Sequence, residues 1–187
     1  MEKIKRIDDI TLIPEMIGEA GIENEVTISP EAMTGIFKDM DVTVSKPFDV
    51  HYVVEREKDS DTICATVDVR GEIEASCSRC LEPIRHTVDL HLKTAYLPAL
   101  PDMSGDLEAE RSSSETGYYR NIIRLGDYIV SELGLSLPLR FICSEDCKGL
   151  CPGCGANLNR EECRCETAPK DPRMKKLMDL KDKLRRK

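Results

Sequence analysis

Eight cysteines fall into four close pairs: Cys77/Cys80, Cys143/Cys147, Cys151/Cys154 and Cys163/Cys165. Four thiolates bind zinc tetrahedrally at about 2.3 Å each and leave no position for water. A Cys-x-x-Cys turn presents two sulfurs to one ion while the backbone amides bend toward them. "CPGCG" has that form, and "CSRCL" has it without the glycine. The spacing therefore points to structural metal sites. The same residue types also serve disulfide exchange and oxidation sensing, which is the competing chemistry.

The pairs must share ions. Cys151, Cys154, Cys163 and Cys165 lie within fifteen residues, so closing that loop costs little entropy. Cys77, Cys80, Cys143 and Cys147 then form a second set, tying the tip of a hairpin to a later segment. A different grouping of the six C-terminal cysteines, leaving Cys77 and Cys80 free, is also compatible with the spacing. Two zinc ions are expected, each site carrying a formal charge of −2. Arg79, Lys148, Arg160 and Arg164 sit between or beside the ligands, to offset that charge or simply to be solvated. Cys64 stands apart, on the polar face of its segment. The histidines show neither ligand spacing nor a nucleophile beside them, so no catalytic residue and no small-molecule substrate is expected.

Three stretches that must position these cysteines alternate with period two, the mark of half-buried antiparallel strands. Phe48, Val50, Tyr52 and Val54 share one face; Ile63, Ala65, Val67, Val69, Ile73 and Ala75 share another; Ile84, Val88, Leu90, Leu92 and Tyr96 a third. "CSRCLEP" is short enough to join the last two as a hairpin. Residues 31–40 read as a short helix with Ser29 as N-cap. Leu125, Ile129, Val130 and Leu133 fall at helical spacing, with Gly134 or Pro138 as the stop. Residues 98–117 are polar, with Pro, Gly and Ser, and read as a loop. From Pro172 a helical pattern carries Met174, Leu177, Met178 and Leu184.

The expected architecture is α+β. It has an antiparallel sheet of five or six strands, curled toward a barrel, one packed helix and a C-terminal zinc-bound knob. The expected division is 1–142, 143–169 and a basic helical tail at 170–187.

The net charge is −8. The tail contributes +6, which leaves −14 for the rest. A body that acidic does not coat nucleic acid non-specifically, though the tail can meet phosphate or an acidic protein surface. "MEKIKRIDDITLIPEM" has charges where a signal peptide needs an apolar stretch. No run of eighteen apolar residues suits a membrane span. A cytoplasmic chain is the expectation, and in that reducing setting nine cysteines are not disulfide staples.

"CSRCLEP" on a hairpin, a helix ending "LSLPL", then "CSEDCKGLCPGCGANLN", "CRC" and a closing "DPRMKKLMDLK" resemble the YceD family. The resemblance runs from about residue 40 to the tail. Members are described as large ribosomal RNA subunit accumulation proteins, associated with 23S ribosomal RNA synthesis, processing or stability in bacteria and plastids. The resemblance implies a non-enzymatic accessory factor for large-subunit biogenesis, with large-subunit ribosomal RNA or a ribosomal protein as partner. The alternative is a redox-sensing zinc-thiolate protein or chaperone. A zinc-ribbon DNA binder fits less well, because "CRC" is too tight for a second knuckle.

Overall fold

Alternation of apolar and polar residues builds most of this molecule. The computed structural model describes residues 7–37, 40–99 and 116–165. The helical reading from Pro172, the basic tail and most of the 98–117 loop lie outside them. Among the described residues there are eight strands: β1 Thr11–Leu12, β2 Ile22–Ile28, β3 Val42–Thr43, β4 Phe48–Arg56, β5 Ile63–Ser76, β6 Pro83–Pro98, β7 Thr116–Tyr119 and β8 Ile123–Arg124. Two α-helices accompany them, α1 Pro30–Ile36 and α2 Leu125–Ser136, with short 3-10 turns at Ile7–Asp9 and Pro14–Met16.

The main sheet runs β2-β4-β5-β6-β7, with β3 added to one end of β5. β2, β4, β5 and β6 pair antiparallel in succession. β7 adds parallel to β6, Ala95 opposite Thr116. Two expectations are corrected here. The sheet does not close into a barrel; it is open, with β2 and β7 as the ends of the path. It is also mixed rather than purely antiparallel, because Thr116 and Gly117, read as loop, belong to β7.

The inward faces are those the alternation marks. Phe48, Val50, Val54, Ile63, Val67, Val69 and Ile73 are fully buried. Each such side chain contributes about 1.5–3 kcal/mol of transfer free energy. Gly71 occupies the same row, and a Cβ there would lie 2.4 Å from the Phe48 ring. The missing side chain is what lets Phe48 cross the strand.

The helices join this core. Ser29 caps α1 by accepting the Ala32 N–H at 3.4 Å, and Pro30 takes the first helical position, where its missing N–H costs nothing. α1 ends at Ile36, earlier than the pattern to residue 40 suggests. α2 buries Leu125, Tyr128, Ile129 and Leu133. The Tyr128 hydroxyl donates to the Lys93 carbonyl of β6 at 3.1 Å. α2 runs through Gly134 and stops two residues before Pro138, which cannot continue a helix.

By compactness the chain forms two units. One holds residues up to Cys77 together with Glu82–Cys143; the other holds Ser78–Leu81 and the chain from Ser144 on. No helix among the described residues is long and apolar enough to cross a membrane.

Candidate metal centres

The structure gathers the eight paired cysteines into two sets of four. The sulfurs of Cys77, Cys80, Cys143 and Cys147 lie within 4.8 Å of one another, and so do those of Cys151, Cys154, Cys163 and Cys165. A tetrahedral thiolate site with 2.3 Å bonds has sulfur–sulfur edges of about 3.8 Å. Cys163 Sγ lies 3.2 Å from Cys151 Sγ and 3.4 Å from Cys154 Sγ. A disulfide would need about 2.05 Å. Each set could hold one metal ion.

One backbone turn is used twice. The Cys77 N–H donates to the Glu82 carbonyl at 2.8 Å, and the Cys151 N–H donates to the Ala156 carbonyl at 2.8 Å, five residues on in both cases. The residue after the second cysteine is left-handed in both: Leu81 at φ 60° and Gly155 at φ 78°. Glycine adopts that conformation at no steric cost, and leucine does not. The turn at "CSRCL" thus runs against the local preference of its sequence, a cost that ligation of one ion by Cys77 and Cys80 would offset.

Amides point at the sulfurs, as thiolate ligands require. Cys143 N–H donates to Cys77 Sγ at 3.4 Å, Gly153 N–H to Cys151 Sγ at 3.3 Å, and Cys165 N–H to Cys163 Sγ at 3.2 Å. A Cβ at Gly153 would lie 3.2 Å from Cys165 Sγ, so the glycine of "CPGC" makes room for the closing ligand.

Two residues support the sulfurs in ways the spacing does not mark. Asn159 donates its Nδ2 to Cys147 Sγ at 3.3 Å and accepts the Lys148 N–H at 2.8 Å. Its place after the "CPGCG" turn is the signal that marks it. Arg79, read as a charge-offsetting or solvated side chain, also holds backbone. Its guanidinium donates to the carbonyls of Glu145 at 2.9 Å and Cys147 at 3.0 Å. Gly149, at φ 74°, lies against it; a Cβ there would be 3.0 Å from the Arg79 carbonyl oxygen.

Electrostatics in the second set are those of crowded sulfurs. Amide donation from Cys154, a hydrogen bond with Cys163 and the Gly153 amide hold the Cys151 thiol down to about 6. Hydrogen bonds with Cys163 and Cys154 push Cys165 up to about 12. Thiolates this close cannot all ionise by themselves, and a divalent cation removes the conflict. The two sets differ in burial. In the first set Cys77, Cys80 and Cys147 are buried and Cys143 is exposed, whereas in the second only Cys151 is buried and Cys154 and Cys165 are exposed.

The remaining candidates are placed elsewhere. Cys64 is exposed, its thiol pushed up by partial burial and by Glu57 and Glu55. His51, Asp68 and His91 form a row across β4, β5 and β6 on the outward face, with His91 Nδ1 2.8 Å from Asp68 Oδ1. His86 packs edge-on against Phe141. Among the described residues no other group of metal-ligating side chains converges.

The sequence profile described as "Large ribosomal RNA subunit accumulation protein YceD" matches residues 65–181, which takes in every paired cysteine. The chain belongs to the YceD family. Uncharacterized proteins of Mycobacterium tuberculosis and Mycobacterium bovis are 34% identical over 125 residues, 66% of this chain and 58% of theirs. The chain thus spans less than two thirds of the length of these relatives. An Arabidopsis thaliana protein named as a chloroplastic YCED homolog is 34% identical over 65 residues, 35% of this chain and 20% of its own. No solved structure matches.

Proposed function

We propose that this protein is a non-enzymatic, cytoplasmic accessory factor that sustains 23S ribosomal RNA synthesis, processing or stability during large-subunit biogenesis. The observation that carries the reading is the family match across residues 65–181, whose description names large ribosomal RNA accumulation. The site chemistry is consistent with it. Zinc bound by Cys77, Cys80, Cys143 and Cys147, and a second zinc bound by Cys151, Cys154, Cys163 and Cys165, would supply folding energy and no reactive position. Large-subunit ribosomal RNA or a ribosomal protein is the partner.

The test is depletion. Cells lacking the protein should show lowered 23S RNA and a reduced large-subunit peak in gradient profiles, restored by the wild-type gene. Unchanged 23S RNA and an unchanged peak across growth conditions would refute the role.

A second reading, a redox sensor, is favoured by the exposure of Cys154 and Cys165. It requires mild peroxide to release zinc with disulfide formation and to raise an activity. Zinc that stays bound under peroxide excludes it.

A further inference from the structure

The sheet unit contains a cavity that borders the first cysteine set at Cys143. Ile84, Arg85 and His86 at the start of β6 and Pro138, Arg140 and Phe141 after α2 line a space of about 290 Å³. We propose that this cavity receives one unstacked nucleotide of a single-stranded RNA, its base on Phe141 and its phosphate at Arg85 and Arg140. The proposal rests on the ribosomal RNA reading above and gives it a contact point.

Three observations lead there. The chain has only three phenylalanines. Phe37 and Phe48 are buried in the core, 2% and 0% exposed. Phe141 is only half-buried, and its ring packs edge-on with His86, with centroids 5.6 Å apart at 72°. A ring already packed on one neighbour and open elsewhere can serve as a stacking platform. The second observation is charge. In a chain of net charge −8, two guanidiniums line one small space. Arg140 is exposed, and the contact of Arg85 with Glu74 is long, at 3.7 Å. Both groups can turn to a phosphate, which they bind in a planar, two-pronged fashion. The third is the wall. Ile84 and Pro138 are apolar, so a bare inorganic anion would leave them unfilled, whereas a base covers them.

Single-stranded RNA is read in this way, through splayed bases on aromatic rings and arginines at the backbone. The composition argues against extended stacking, since aromatics make up 4% of the chain. One nucleotide is the load this site can take.

The experiment measures anisotropy of labelled oligouridylate and oligoadenylate, each about eight nucleotides long, with the full-length zinc-loaded protein. Phe141→Leu keeps the apolar bulk and removes the ring face. It should weaken binding by at least about fivefold, the low end of a lost base stack. Arg140→Gln, on an exposed side chain, should weaken binding and lower the salt slope by about one. Arg70→Gln, whose outward side chain pairs with Asp89 on the sheet, should change neither beyond the loss of one distant charge.

Wild-type affinity in both cavity variants overturns the site, while the depletion test of 23S RNA still stands on its own. No binding of either oligomer by the wild-type protein at low salt overturns it as well. So does capture of an acidic peptide that Arg140→Gln abolishes while RNA binding is untouched.

Discussion

Gly71→Ala tests the packing logic of the sheet directly. An added Cβ would meet three atoms of the Phe48 ring at 2.4–2.5 Å. Carbon atoms in contact need about 3.5 Å or more. Phe48 is 0% exposed, so its ring cannot swing into solvent. Either the ring leaves its rotamer or β4 and β5 separate locally. Overpacking of this kind costs about 1–3 kcal/mol. Replacing a strand glycine returns about 0.5–1 kcal/mol of backbone entropy. The expected net loss is about 1–2 kcal/mol. With a urea slope near 2 kcal/mol per molar, the unfolding midpoint should fall by about 0.5–1 M. Phe48→Leu alone should also destabilise, by leaving a void. The double variant should be more stable than the sum of the singles predicts, by about 1 kcal/mol, because each change relieves the other. An unshifted midpoint for Gly71→Ala, or strict additivity in the cycle, would refute the account of Gly71 as space for Phe48.

Other outcomes follow from the sites. Protein purified without added metal should carry two zinc equivalents, and both Cys80→Ser and Cys154→Ser should lower this to one. A colorimetric chelator should strip zinc in two phases, the faster lost in Cys154→Ser, because Cys154 and Cys165 are exposed whereas Cys77, Cys80 and Cys147 are buried. Leu81→Gly should raise the thermal midpoint, through about 0.5–1 kcal/mol of relieved left-handed strain; a lower midpoint would mean the Leu81 side chain makes a contact of its own. His51 is held above its ordinary value of 6.5 by the Glu23 hydrogen bond first and by Asp68 after it. Its stabilising contribution is therefore complete below 6.5 and is lost as pH rises through the raised value. NMR titration should show Glu23→Gln bringing His51 back toward 6.5.

The strands that flank the first cysteine pair could be read from the chain because each has one dry face and one wet face. Val50, Val69 and Leu90 sit at matching positions of three neighbours, and period two exposes all of them. The ends of the sheet could not be read. In β2, "IENEVTI", only Val26 and Ile28 are buried, too few to show alternation. β7 joins in parallel, a long-range pairing that leaves no local mark. Closure into a barrel depends on just these two strands, which is why strand counting misjudged it. The grouping of the sulfurs was visible as one of two options. Loop length favoured it, but the repeated turn that makes the grouping work lies in backbone dihedrals. At Leu81 the residue type even argues against that turn. The cavity was hidden for a similar reason. Arg85 and Arg140 lie far apart in sequence, and nothing in either segment announces the other.

The span of the first thiolate set has a consequence for biosynthesis. Sixty-six residues separate Cys77 from Cys143. At ordinary elongation rates of about 5–20 residues per second, the ribosome needs about 3–13 s to make that stretch. During this interval the nascent hairpin carries two thiols whose partners have not been translated. Cys151 to Cys165 emerge together, almost at once. Oxidants acting on translating chains should therefore damage Cys77 and Cys80 first, although in the finished protein these two are among the best shielded.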